Sequence, residues 1–286
     1  MFKRIVRFPL SLLVLEAVAV VLVASLYSTA AHRIGVGRDG PLHFVGALGL
    51  VAALIGLWKL LRRFLEGEDD RELAFAGAPR ELGAGLLTGL CLFSLMTAIV
   101  ALLGGFEVQG LRGWGAIWPM AAMAVTSGTF EEMLFRGVLF RHIETMLGSW
   151  AALGITSVLF GAAHLSNPGS SIFAAVAIAL EAGVLLGAAY MVTRRLWLAI
   201  GIHAGWNFTQ GWIFSIPVSG GDAPIGLLVT RRLGPDWLTG GEFGLEASVV
   251  AMVVATTAGV MLLARVLRNH GTIAPMWRRR LPDPSA

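Results

Sequence analysis

The sequence predicts an all-α, polytopic membrane helix bundle of about eight transmembrane helices. Three observations carry that expectation. Of 286 residues, 56% are hydrophobic and only 14% are charged, against about 25% charged in an average soluble domain. The mean hydropathy is +0.74. The apolar residues fall into runs of about 20, the length of one bilayer crossing, separated by short polar connections. About eight such runs fill the chain and leave little for a separate soluble domain, so the bundle is itself the domain. Cys91, the lone cysteine, lies inside an apolar run, which excludes an intrachain disulfide and a cysteine-built zinc site. A sequence pI of ≈ 10.0 invites a nucleic-acid reading. The basic residues cluster at the ends of apolar runs instead, so they read as topology signals, and no nucleic-acid partner is expected.

Taken in order, Lys3, Arg4 and Arg7 precede a run that exceeds the roughly 7–15-residue core of a signal peptide, so a retained first span is expected over Pro9–Thr29. Glu16 within it reads as a bundle-facing or snorkelling carboxylate. The second span, His43–Leu61, ends in Trp58, Lys59, Arg62 and Arg63, the aromatic and basic anchors of a membrane interface. Leu65–Glu81 is the most charged stretch and is expected to be a solvated connection. A third span over Leu82–Leu103 leads into a glycine-rich turn, G-G-F-E-V-Q-G. The fourth is Ala116–Phe140; the fifth, Ser149–His164, is short and stops at S-N-P-G. Ser171–Thr193, Leu196–Phe214 and Leu245–Leu267 complete the set.

No internal repeat is found, which weighs against a transporter built from paired halves. Counting Lys and Arg on alternate sides of these spans puts seventeen of the 22 on the side of the N-terminus, among them Lys3, Arg4, Arg62, Arg141, Arg195 and Arg280. Arg33, Arg38, Arg112, Arg231 and Arg232 fall on the other. The asymmetry predicts a multi-pass cell (inner) membrane protein with both termini in the cytoplasm.

The chemistry concentrates in Ser127–Phe140, S-G-T-F-E-E-M-L-F-R-G-V-L-F, where charges stand in an apolar segment. Each such charge costs about 2.5–3.5 kcal/mol at a helix centre, so it usually faces the bundle interior and marks a function. Glu132 and Arg136 are four apart and share a helix face, whereas Glu131 is turned roughly 100° away. One carboxylate is therefore neutralised locally and the other left free as a candidate general base. Phe160 and His164 are four apart in F-G-A-A-H-L, as are His203 and Asn207 in G-I-H-A-G-W-N-F. By helical rise Glu131 lies about 15 Å from Arg141, and His203 about 12 Å from Arg195. His164, about 22 Å beyond Ser149, is too deep to meet them unless its helix tilts or stops within the protein.

Amide hydrolysis needs a base for water, donors where the oxyanion develops and a proton for the leaving amine. Glu131 with His164 suits the first, His203 with Asn207 the second, while Glu132 and Arg136 tune the base. Glu131, His164 and His203 are also a zinc-type ligand set, but without an H-E-x-x-H pairing, so metal-free water activation is preferred and no cofactor is expected. No serine-protease pattern surrounds Ser127-Gly128.

The three blocks E-E-x-x-x-R, F-x-x-x-H and H-x-x-x-N, in that order and in separate spans, resemble the CAAX-protease and bacteriocin-processing (CPBP, Abi) family of intramembrane endopeptidases. The likeness extends to F-R-G-V-L-F, H-L-S-N-P and the run containing Gly183, Gly187 and Tyr190. It implies an eight-helix bundle with a cytoplasm-facing intramembrane cavity. It implies further that Glu131 and His164 activate water while His203 and Asn207 hold the oxyanion; the expected partners are peptide or protein substrates, C-terminal, lipidated or secreted, among which the likeness does not choose.

The expected organisation is then residues 1–115 as N-terminal helices with an acidic cytoplasmic loop, 116–214 as the catalytic core, and 215–286 as an external loop, last helix and basic cytoplasmic tail. Gly183 and Gly187 read as close helix packing, and Glu181 as a structural carboxylate that could line the cavity. The long segment 215–244 is either a shield over the cavity or a passive connection. A non-catalytic scaffold or immunity protein of the same fold, with the polar residues as interhelical glue, is the competing reading.

Overall fold

The computed structural model describes residues 5–33, 40–269 and 271–279. Lys3, Arg4, Arg38 and Arg280, used above for orientation, lie outside the described residues. Among the described residues eight long helical segments follow one another: α1 (Pro9–Arg33), α2 (Pro41–Glu66), α3 (Ala78–Leu102), α4 (117–147), α5 (Ser149–Ser166), α6 (Ile172–Thr193), α7 (197–213) and α8 (Val249–Asn269). In lipid no water can satisfy exposed peptide groups, so apolar runs of this length become helices. Six of the eight are long and apolar enough to cross a membrane. The two that are not, α4 and α7, carry E-E-x-x-x-R and H-x-x-x-N, while F-x-x-x-H is on α5. Large apolar side chains such as Leu22, Leu26, Leu87, Leu95, Val253 and Met261 point outward, as lipid-facing surfaces should.

α7 lies between α3 and α4, and α8 packs against α6. The α3–α7 contact is made by glycines. A Cβ on Gly201 would lie 2.9 Å from the Gly85 Cα, and one on Gly205 would lie 2.9 Å from the Leu86 Cα. Backbones this close are the small-residue packing that replaces hydrophobic driving force between helices in lipid. Because His203 lies between these glycines, Gly205→Leu is expected to shift α7, lower the thermal midpoint in detergent and abolish site function together. An unchanged midpoint would show that α3 yields instead.

Two ends can be told apart by contacts. At the basic end Arg141 binds Glu66 at 2.6 Å, the Leu196 N–H donates to the Glu72 carbonyl, and Ser149 exchanges hydrogen bonds with Ile273. The acidic stretch is thus solvated only in part: Glu68, Asp69 and Arg71 are exposed, and other residues are held by the bundle. Asp70 accepts from Lys59 at 2.8 Å and from the Trp58 indole at 3.2 Å, and Arg62 binds Glu66 and Glu68. Glu72 and Leu73 are buried, and Arg195 and Trp197 donate to the Ala74 carbonyl. Opposite charges arriving from α2, α4 and α7 fold the stretch into a cap, which its local composition cannot reveal. Glu16 joins this network, 2.8 Å from Arg141 and 3.0 Å from His142.

At the opposite end, the segment read as a glycine-rich turn forms β1 (Phe106–Leu111), antiparallel to β2 (Leu228–Arg232) with Phe106 facing Arg232 and Leu111 facing Leu228. Its partner is more than a hundred residues away, so local turn chemistry misreads it. Helix α4 also runs on to Leu147, past the expected end at Phe140, and contains a π-helical stretch, Met133–Phe140. That extension removes the depth conflict. Counted from the true ends, Glu131 and His164 are about 24 and 22 Å along their helices.

Candidate active site

Four helices contribute. The fully buried Arg136 donates from Nη1 to Glu132 Oε1 at 2.9 Å, and from Nη2 to the carbonyls of Ala182 and Gly183 at 2.9 and 3.3 Å. Those carbonyls belong to a π-helical turn, Ala179–Gly183, whose widened backbone offers them to a guanidinium on the neighbouring helix. Arg136 therefore ties α4 to α6 as well as pairing along its own face. Its Cζ also stands 4.7 Å from the Phe160 ring centroid, within cation–π range.

The same Glu132 Oε1 accepts from His203 Nδ1 at 2.9 Å. This orients the ring so that Nε2 faces Glu131, 4.0 Å from its Oε2. His164 begins a single 3-10 turn where α5 stops, and its Nδ1 donates to the Phe160 carbonyl at 2.8 Å. A carbonyl only accepts, so neutral His164 carries its proton on Nδ1 and presents a lone pair on Nε2. That Nε2 is likewise 4.0 Å from Glu131 Oε2, an oxygen that is buried without a hydrogen-bond partner. Asn207 donates one amide N–H to Ser127 Oγ at 3.1 Å and lines a chamber with Phe160, His164 and His203.

Glu131, Glu132, Arg136, Phe160, His164, His203 and Asn207 thus converge on one region. The Glu132–His203 pair and the Ser127 clamp on Asn207 are additions, because neither contact follows from spacing along a helix. Glu181 and Glu246 also line the chamber, both 2% exposed. Glu246 stands one turn before α8, where an acid reads as a surface residue. Between the site and the basic end the largest apolar cluster, including Trp58, Met133, Phe140 and Leu196, fills the interior. The chamber instead takes lining from Ser219 and Glu246, which lie toward the β1–β2 end.

Burial pushes the Glu246 carboxyl from 4.5 up to about 7, against the opposing Ser219 N–H bond. A raised acid favours the protonated folded state, so its contribution is full below about pH 4.5 and is lost as pH rises through about 7. Thermal stability in detergent is expected to fall across that window by on the order of 3 kcal/mol. Glu246→Gln should flatten the fall; an equally steep profile in that variant would assign the effect to another group.

No three ligand atoms from Glu131, His164 and His203 lie mutually within 4.8 Å. Zinc bonds of about 2.0–2.1 Å at tetrahedral angles hold ligand atoms about 3.3 Å apart. The set that does converge, Glu16, Glu66 and His142, already has the Arg141 guanidinium in its midst.

Fold and site together define a polytopic helical membrane protein with carboxylates, imidazoles, a guanidinium and a carboxamide gathered inside the bundle. Residues 113–209, about a third of the chain, match the family model of type II CAAX prenyl endopeptidase Rce1-like proteins, and the matched segment holds all seven motif residues. No curated protein and no solved structure matches the chain.

Proposed function

We propose that the protein is an intramembrane endopeptidase that hydrolyses a peptide bond with water activated by Glu131 and His164. The observation that carries this reading is the 4.0 Å separation of Glu131 Oε2 from the Nε2 atoms of both His164 and His203. That gap is too long for a direct hydrogen bond and fits one bridging water. Water donating one proton to the Glu131 carboxylate and the other to His164 Nε2 turns an oxygen lone pair toward a scissile carbonyl. As the C–O bond forms, Glu131 takes the proton. The oxyanion is held by the second amide N–H of Asn207 and by His203, which donates from Nε2 only as imidazolium because Nδ1 serves Glu132. Collapse breaks the C–N bond, the amine nitrogen receives the proton from Glu131, and a carboxylic acid and an amine leave. Each oxyanion donor removed from such a site typically costs about 2.7–4 kcal/mol.

The wide spacing of the donor set favours the metal-free route over zinc, so chelators should leave activity unchanged. Candidate substrates are peptide or protein segments that are C-terminal, lipidated or secreted, cleaved in a cell membrane with both termini of the protease in the cytoplasm. Comparing the membrane peptidome of cells carrying the intact chain and Glu131→Gln tests the reading. Substrates should accumulate uncut only in the variant; identical peptidomes would favour the non-catalytic scaffold.

A further inference from the structure

The chamber that His164, His203 and Asn207 line also holds two acids that the hydrolytic scheme does not use. Glu181 comes from the widened turn of α6 and Glu246 from the 3-10 turn Leu245–Ala247 that leads into α8. Glu181 Oε2 is buried without a hydrogen-bond partner. Glu246 Oε1 accepts from the Ser219 N–H. Among the described residues no hydrogen bond joins the two carboxyl groups. Arg136 donates to Glu132 and to the Ala182 and Gly183 carbonyls and not to Glu181, and its buried Nε has no partner.

Two carboxyl groups facing one chamber in apolar surroundings are costly unless a positive donor lies between them. The free volume is ≈ 30 Å³ for the centres of water-sized groups, room for about two. Ile178, Leu185 and Ile202 supply apolar walls beside the acids. A compact, multiply donating cationic head matches that space and charge, with its slender alkyl stem laid along the apolar walls. A divalent ion does not, since no trio of acidic or imidazole ligand atoms converges here among the described residues.

We propose that Glu181 and Glu246 form an ammonium subsite of the chamber, taking a primary ammonium from the substrate. The source is either a lysine side chain beside the cleaved bond or the new amino terminus of the departing fragment. This subsite rests on the proteolytic reading for its purpose, but its existence can be tested without turnover.

The probe is n-butylammonium chloride, with n-pentanol as the neutral counterpart, added to the purified full-length chain in detergent. Binding is read by thermal unfolding and calorimetry. Butylammonium should stabilise both the parent and Glu131→Gln, pentanol should not, and Glu181→Gln should bind butylammonium at least tenfold more weakly. Equal effects of the two probes on the parent, a comparison that needs no variant, would overturn the subsite; so would unweakened binding by a folded Glu181→Gln. Peptides then separate the sources. If lysine is the ligand, lysine-to-norleucine exchange lowers kcat/KM about tenfold in the parent but not in Glu181→Gln. If the new terminus is the ligand, that exchange is neutral and the amine product inhibits competitively, less so in Glu181→Gln. Failure of both patterns overturns the assignment to substrate. Absence of any cleavage with butylammonium binding intact would instead remove the proteolytic reading and leave the subsite standing.

Discussion

Glu131→Gln is expected to lower cleavage of a native substrate by roughly 10²–10⁴-fold, the range for loss of a positioned general base. Glutamine keeps the size and polarity of the side chain but cannot take a proton from water. Stability should not follow activity. The Glu131 carboxylate makes no hydrogen bond that the substitution would break, and glutamine fills the same space in a side chain that is 23% exposed. The measurement is kcat on a labelled peptide alongside the thermal midpoint. A variant within tenfold of the parent rate would assign water activation to another group.

Glu132→Gln should do the reverse first and the same second. It removes the charge that Arg136 Nη1 and His203 Nδ1 share at 2.9 Å each. Arg136 is fully buried, and stripping one partner from a buried ion pair typically costs about 3–5 kcal/mol. The midpoint should therefore drop steeply and expression with it. Replacing both partners with apolar residues of similar volume, Glu132→Leu with Arg136→Met, is often neutral or stabilising at buried pairs. The double variant is expected to regain stability without regaining activity, because His203 has lost the carboxylate that aims its ring. Recovery of activity in the double variant would reduce Glu132 to a purely structural charge.

Helix positions were legible in the sequence to within a few residues, save for the extension of α4 to Leu147, because the bilayer imposes one length and one polarity on every span. The seven motif residues stood out for a related reason: a charge among apolar neighbours needs a purpose. What stayed hidden depends on partners remote in the chain. The residues from Glu66 to Glu72 look solvated until Arg141 and Leu196 arrive to meet them. Gly85 and Gly201 read as separate small residues until their helices touch. Phe106–Leu111 reads as a turn because its strand partner belongs to a segment taken as a connection. The depth conflict over His164 had a local cause, since the fourth span was ended at Arg141 although that residue sits between Glu16 and Glu66 and the helix runs on to Leu147.

That last pairing bears on how the protein is made. Glu16 and Arg141 are 125 positions apart, so a ribosome delivers the carboxylate to the membrane long before its counter-charge exists. A lone acid at a span centre costs about 2.5–3.5 kcal/mol at insertion, an upper bound for Glu16 in the first third of its helix. Until α4 emerges, the first helix must hold its acid protonated, let it reach toward the headgroups, or lean on an insertion factor. The nascent chain is therefore at its most vulnerable midway through synthesis, and Glu16→Gln should ease biogenesis even as it weakens the finished protein.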